Sequence, residues 1–190
     1  IVFRGTDDSI IGWKEDFHLT YMKEIPAQKH ALEYLEDFFK QYPKQKVIIA
    51  GHSKGGNLAV YAASQIQPDL QEKISAIYTY DAPGLQAHLT ETTGYQDVIP
   101  KFQRFVPQGS VIGMMLEVPD TPIVVKSTAL GGIAQHNTFS WLTEGHHFVQ
   151  LEEISSESLQ IKDTLKEWVD SVPDEELELY FDLFFGTILE

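Results

Sequence analysis

The sequence predicts an α/β protein with a mostly parallel sheet and helices on both faces. Short apolar runs alternate with segments of helical spacing along most of the chain, which is typical of parallel sheets. The run at 47–50 is wholly apolar, as expected for a central strand covered on both faces. A turn of sequence Gly-His-Ser-Lys-Gly follows this run directly and leads into a helix rich in small residues. These three observations define the predicted architecture.

The individual elements follow in chain order. Residues 1–3 form an apolar strand that ends in a polar turn. Helical spacing begins at Pro26 and continues to about Gln41, where Tyr42-Pro43 stops it. The helix after the glycine-rich turn ends near Pro68. The pattern predicts further strands at 74–78, 102–106 and 123–125, and helices at 157–172, with Ser155-Ser156 as caps, and at 175–189.

The length is that of one domain over residues 1–190, and a hydrophobic content of 43% is enough for a sizeable core. Ile1-Val2-Phe3 is already an apolar strand with no Met before it. We therefore expect the chain to begin inside a domain whose upstream part is absent.

Charge and composition narrow the range of partners. Asp and Glu total 28 against 14 Lys and Arg, and the formal net charge of −14 would repel nucleic acid and anionic lipid surfaces. The chain has no cysteine, which rules out disulfides and thiolate metal sites and favours a cytoplasmic location. No apolar run reaches the roughly 20 residues that a membrane-spanning helix needs.

The turn Gly51-His52-Ser53-Lys54-Gly55 has the pattern of a nucleophile elbow, with a strand before it and a helix after it. The serine sits in a strained turn that lifts its hydroxyl above the sheet, so its neighbours two residues away must be small. The backbone N–H of Lys54, at the helix N-terminus, would stabilise an oxyanion. The competing interpretation is a phosphate-binding turn, but Ser53-Lys54 reverses the Lys-Ser order of a P-loop. The pattern therefore favours an α/β-hydrolase fold with Ser53 as nucleophile.

A nucleophilic serine needs a base and usually an acid, in the chain order Ser, acid, His. His136 follows a strand and a Gly-Gly loop, and it is the best candidate for the base. Asp81 closes the strand after the elbow, where catalytic groups gather, although it could instead start a turn. Glu117 and Asp120 are alternative acids, and a Ser-His dyad without an acid is also open. The His52 side chain is expected to point away from the site of the base.

Several motifs resemble those of a known group of enzymes. The segments 3–6, 51–56 and 79–83, together with Trp13 and Asp16, resemble the class 3 (fungal-type) lipases in order and spacing. A closer resemblance, over about residues 1–150, is to the bacterial Mbeg-like family of α/β-hydrolases, and it includes the stretches 106–113 and 135–141. The resemblance implies that Thr6 supplies the second oxyanion donor. Class 3 lipases carry an Asp-x-Val-Pro where this chain reads Gln108-Gly109-Ser110-Val111, which has no carboxylate.

These patterns together predict a serine esterase or lipase-like hydrolase that acts on a small-molecule or lipid ester through an acyl-Ser53 intermediate. The residues call for no cofactor and no metal. Acyl transfer to an acceptor other than water would use the same groups, and a non-catalytic binding or scaffold module on a hydrolase fold is the alternative from another class. Trp13, Phe17 and the run Met114-Met115-Leu116 could line an acyl pocket or could belong to the core. The oligomeric state is left open.

Overall fold

The computed structural model describes residues 1–5, 18–118 and 121–189. Six of its strands form one sheet in the order β1-β2-β3-β4-β5-β8. Each neighbouring pair from β1 to β5 is parallel, and β8 pairs with β5 in the antiparallel direction. These strands are β1 (Val2–Phe3), β2 (Val47–His52), β3 (Ile74–Tyr80), β4 (Phe102–Pro107), β5 (Ile123–Val125) and β8 (Gln150–Leu151). The remaining two, β6 (Thr143–Glu144) and β7 (His147–Phe148), form a separate antiparallel hairpin.

Helices flank the sheet. The longest are α1 (Pro26–Gln41), α2 (Lys54–Gln65), α7 (Ser156–Ser171) and α8 (Asp174–Leu189). Four short helices connect the strands: α3 (Pro68–Gln71), α4 (Ala87–Thr90), α5 (Thr93–Val98) and α6 (Gly132–Gln135). The predicted mixed α/β architecture with a mostly parallel sheet is therefore confirmed.

The main core lies around α2, which is buried over nearly its whole length. Ala59, Ala62 and Ala63 are fully buried, and their small side chains let the helix approach the sheet closely. Leu35 and Phe39 on α1 belong to the same core. A smaller cluster joins Leu177 and Phe181 of α8 to Tyr21. Most of the apolar burial therefore supports the first three strands and the turn between β2 and α2.

The register of the parallel strands aligns their carboxyl ends. His52, the last residue of β2, is paired with Tyr80, the last residue of β3. The Ser53 N–H donates to the Tyr80 carbonyl at 3.0 Å, and the Asp81 N–H donates to the Phe105 carbonyl at 2.8 Å. The residues that directly follow β2 and β3 are thus held by the neighbouring strand at one edge of the sheet.

Two local features differ from the prediction. The run at 47–50 was expected to be covered on both faces, but Ile48 is 54% exposed, so one face of β2 is open at that point. The edge strand β8 was not predicted, because two residues give no periodic signal and its pairing is set by the open edge of β5. The predicted helix at 157–172 is confirmed as α7, with the Ser155 side chain accepting the Ser158 N–H as an N-cap.

Candidate functional site

The turn between β2 and α2 holds Ser53 in a strained conformation. Its φ is 56° and its ψ is −134°, a region that costs a non-glycine residue of the order of 1–3 kcal/mol. Neighbouring glycines make this turn possible, since a Cβ on Gly51 would lie 2.2 Å from the Gly55 carbonyl oxygen. A Cβ on Gly55 would lie 2.2 Å from the Phe3 carbonyl oxygen, so β1 packs directly against the turn. This geometry is the one expected for a nucleophile elbow.

The oxyanion donors predicted from the sequence are Lys54 and Thr6. Lys54 is the first residue of α2 and directly follows Ser53, so its backbone N–H belongs to the positive end of that helix. Thr6 lies outside the described residues. Gly5, its neighbour, is close to the elbow, because a Cβ there would lie 2.6 Å from the His52 carbonyl oxygen and 3.5 Å from the Ser53 Cβ. The chain that leads to Thr6 therefore runs beside the turn.

Asp81 directly follows β3 and is fully buried, and each hydrogen bond that the described residues make to its carboxylate has a defined donor. The Ser110 hydroxyl donates to Oδ1 at 2.5 Å, and the Gly113 N–H donates to the same atom at 3.1 Å. His136 Nδ1 lies 2.7 Å from Oδ2. The backbone of Asp81 has a φ of 44°, so this residue also sits in a strained conformation. Three donors hold the buried carboxylate, which compensates for its removal from water.

Of the two alternative acids, the structure describes Glu117, and the contacts of its side chain lie away from His136. The Glu117 side chain forms an ion pair with Lys166 on α7, and its backbone pairs with Leu85. Asp120 lies outside the described residues. Asp81 is therefore the carboxylate that the structure brings to His136.

The orientation of His136 follows from this contact. A carboxylate oxygen can only accept, so Nδ1 carries the proton and Nε2 of the neutral ring is left as an acceptor. The loop that holds the ring is anchored on both sides. Trp141 Nε1 donates to the Gln135 carbonyl at 2.8 Å, and the Gln135 side chain accepts the Gly109 N–H at 2.8 Å. This tautomer is the one that a general base needs.

The expectation for His52 was wrong. Its ring lies 4.4 Å from the His136 ring, centroid to centroid, and its Nε2 lies 2.9 Å from the His136 carbonyl oxygen. A carbonyl accepts, so His52 Nε2 donates. The sequence argument considered only the elbow, whereas the His136 loop comes from a segment 84 residues further along the chain. His52 thus joins the end of β2, directly before Ser53, to the loop that carries His136.

Burial lowers the pKa of His52 below its ordinary value, and the nearby His136 lowers it further. The hydrogen bond to the His136 backbone and the charge of Asp81 act in the opposite direction and are weaker. His52 is therefore neutral near pH 7 and places no positive charge beside His136.

Ser53 directly follows β2, and His136 contacts Asp81, which directly follows β3, so both residues lie at the same edge of the sheet. Within the described part of the chain, no hydrogen bond joins Ser53 Oγ to the His136 ring. Catalytic hydrogen bonds are often long in the absence of substrate and shorten only in the complex. The pair of Asp81 and His136 is thus already formed at the sheet edge that carries Ser53.

The loop after β4 has a different function from the one that the lipase pattern implies. In this chain residues 108–113 of the loop carry no carboxylate. Ser110 and Gly113 instead donate hydrogen bonds to the carboxylate of Asp81, which directly follows the preceding strand, β3. A Cβ on Gly113 would lie 2.6 Å from Asp81 Oδ1, so only glycine allows this approach. Sequence reasoning missed both residues, because their contacts with Asp81 cross 29 and 32 residues of the chain.

Among the described residues, no cluster of three or more His, Cys, Asp or Glu side chains is arranged to hold a metal ion. No helix among these residues is both long enough and apolar enough to cross a bilayer.

Comparison with known families identifies the chain. The sequence profile described as Mbeg1-like matches residues 1–186. The chain belongs to the Mbeg1-like family. The resemblance to this family is therefore confirmed, and the match extends beyond residue 150, where the motif resemblance ended.

Other comparisons add little about this Mbeg1-like protein. The comparison with curated proteins gives no match. One similar solved structure is described as "Rhizomucor miehei lipase propeptide complex, native", with 20% identity and a TM-score of 0.37. The alignment covers 69% of this chain and 42% of the other.

Proposed function

We propose that this Mbeg1-like protein is a serine-dependent acyl hydrolase on an α/β-hydrolase fold, acting on an ester through an acyl-Ser53 intermediate. The observation that carries the proposal is the pair of strained residues at adjacent strand ends: Ser53 follows β2, and Asp81, bonded to His136, follows β3. Strained residues cluster at active sites because the surrounding structure must compensate for their cost.

The proposed reaction has two steps. His136 Nε2 accepts the proton of the Ser53 hydroxyl as Oγ attacks the ester carbonyl, and Asp81 stabilises the resulting imidazolium. The Lys54 N–H stabilises the oxyanion, with Thr6 as the second donor that the family resemblance implies. The tetrahedral intermediate breaks its bond to the alcohol oxygen, which receives the proton from His136. Water then attacks the acyl-enzyme with the same assistance, releasing the acid and free Ser53.

The test is covalent labelling and ester hydrolysis by Ser53→Ala. We expect this variant to lose labelling by a fluorophosphonate probe and to hydrolyse p-nitrophenyl acetate about 10³-fold or more slowly, because the nucleophile is gone. Ser75→Ala is the matched control, since Ser75 is an exposed serine on β3. If Ser53→Ala is still labelled as fast as the wild type, the nucleophile is another residue.

A non-catalytic binding module and an acyltransferase could use the same scaffold, and the labelling and hydrolysis assays distinguish both from a hydrolase. A binding or scaffold module would leave Ser53 unlabelled in the wild type. An acyltransferase would be labelled, and it would convert an added alcohol to a new ester faster than it hydrolyses the substrate.

A further inference from the structure

A cavity of about 670 Å³ lies beside the candidate site, between the segments 85–88 and 114–117 on one side and α7 and α8 on the other. This volume is within the range of about 300–1,000 Å³ that is typical of small-molecule sites. Ser53, His52 and His136 are not among its described lining residues. The cavity is therefore a separate space from the immediate surroundings of the nucleophile.

The walls of the cavity are largely apolar. Met114, Met115 and Leu116 line one side, and Leu165, Val169 and Phe181 line the other. Two of the three methionines of the chain thus face one cavity. Methionine is flexible and polarisable and adapts to apolar ligands of different shape. The composition favours a hydrocarbon chain as occupant.

The charges around the cavity favour a ligand without a charge. Lys162 and Lys166 are the cations of the lining, while Glu117, Asp170 and Asp174 are its carboxylates. Lys166 is already bonded to Glu117 and lies 3.5 Å from Asp170. The carboxylates outnumber the lysines, so a ligand carboxylate would meet repulsion.

The same segments that line the cavity also hold the acid. Met114 follows Gly113, whose N–H donates to Asp81, and Leu85 lies four residues after Asp81. Leu116 has a φ of 63°, an unfavourable conformation for a bulky residue, and the neighbouring bridge between Glu117 and Leu85 fixes this backbone. Strain of this kind is found at ligand clamps. The cavity is thus a built feature connected to Asp81 through the backbone.

We propose that this cavity binds an uncharged hydrocarbon chain. The chain comes either from a separate apolar molecule or from the acyl group of the ester, and the second source rests on the proposed hydrolase function. In both cases the ligand packs between the methionine-bearing loop and α7.

Direct binding is measured with 1-octanol and with octanoate by titration calorimetry. Neither ligand contains an ester bond, so binding to the wild type is measured independently of hydrolysis. We expect 1-octanol to bind, with a negative heat-capacity change from apolar burial, and octanoate to bind at least several-fold more weakly. Absence of 1-octanol binding up to its solubility, or tighter binding of octanoate, would overturn the proposal.

Substitutions in the wall of the cavity test whether 1-octanol binds there. Val169→Trp places a large ring into the cavity and is expected to weaken 1-octanol binding at least tenfold, whereas Glu167→Trp, on the exposed side of the same helix, should not change it. If Val169→Trp does not fold, as judged by its thermal transition, Leu165→Glu makes the same test by placing a charge on the apolar wall. Unchanged binding in a folded cavity variant excludes this cavity as the site.

Steady-state hydrolysis distinguishes the two sources of the hydrocarbon chain, a separate apolar molecule and the acyl group of the ester. The measured quantity is the ratio of kcat/KM for p-nitrophenyl octanoate to that for p-nitrophenyl acetate. A ratio that falls about tenfold in Val169→Trp assigns the cavity to the acyl group, while an unchanged ratio with lost 1-octanol binding assigns it to a separate molecule. A wild type that binds 1-octanol without hydrolysing either ester contradicts the proposed hydrolase function and leaves the cavity proposal intact.

Discussion

Asp81→Asn tests the candidate acid most sharply, because the hydrogen bonds around the carboxylate determine how the amide must lie. Oδ1 accepts from both Ser110 and Gly113, and the Gly113 backbone N–H cannot be reversed. The amide oxygen of asparagine therefore takes this position and turns its NH₂ group toward His136. Two donors would then face each other across the present distance of 2.7 Å.

His136 can relieve this conflict only by moving its proton from Nδ1 to Nε2. The ring nitrogen that should accept the Ser53 proton would then carry a proton of its own. The equivalent change in a serine protease triad lowers kcat about 10⁴-fold. At 1.36 kcal/mol for each factor of ten, this corresponds to about 5 kcal/mol of transition-state stabilisation.

The assay is steady-state hydrolysis of p-nitrophenyl acetate together with the rate of fluorophosphonate labelling. Asp97→Asn is the matched control, since Asp97 is exposed on α5 and should retain wild-type rates. The thermal transition checks that Asp81→Asn is folded. A folded Asp81→Asn that keeps more than a tenth of the wild-type kcat would refute the reasoning and leave Asp81 as a turn residue.

Two further predictions concern the framework of the site. Gly56→Ala should lower the free energy of unfolding by about 1–3 kcal/mol in urea denaturation, because its Cβ would lie 2.4 Å from the Ala82 Cβ. Gly145→Asn is the control, since a Cβ there meets nothing within 4 Å and asparagine tolerates its φ of 59°. A similar loss in both variants would contradict the packing argument. The second prediction concerns the lowered pKa of His52. Just below pH 6.5, His52 binds a proton more readily in the unfolded chain than in the folded protein. The free energy of unfolding should therefore fall as the pH decreases from 6.5 toward the folded-state pKa of His52. His52→Gln should show a smaller drop in the urea midpoint between pH 7 and pH 5, and an equal drop would show that other groups cause it.

The sequence predicted those parts of the fold that depend on local patterns. The helix at 26–41 has an apolar stripe and a proline at its start, and the structure has the same bounds. The strand at 47–50 was recognised from a continuous apolar run. In the structure it extends to His52, because Gly51 and His52 still pair with the neighbouring strand and the turn begins only at Ser53. The edge strand β8 depends on its partner rather than on its own two residues, so no local signal could predict it.

The candidate site was predictable to the extent that it follows from chain order and strand ends. Asp81 and His136 were chosen in this way, and the structure brings their side chains into contact, although the catalytic role of the pair stays a prediction. Ser110, Gly113 and His52 were not selected, because each acts through a contact with a distant segment. Such contacts depend on where loops close in three dimensions, and neither composition nor periodicity records this.

The contact between His52 and His136 joins segments 84 residues apart, and the Asp81 contact joins segments 55 residues apart. Bringing such distant segments together costs conformational entropy, which only the assembled sheet can compensate. Fragments or partly unfolded forms that contain the elbow alone would hold Ser53 without His136 and Asp81 beside it. Under the proposed mechanism, reactivity at Ser53 is consequently a reporter of the complete fold.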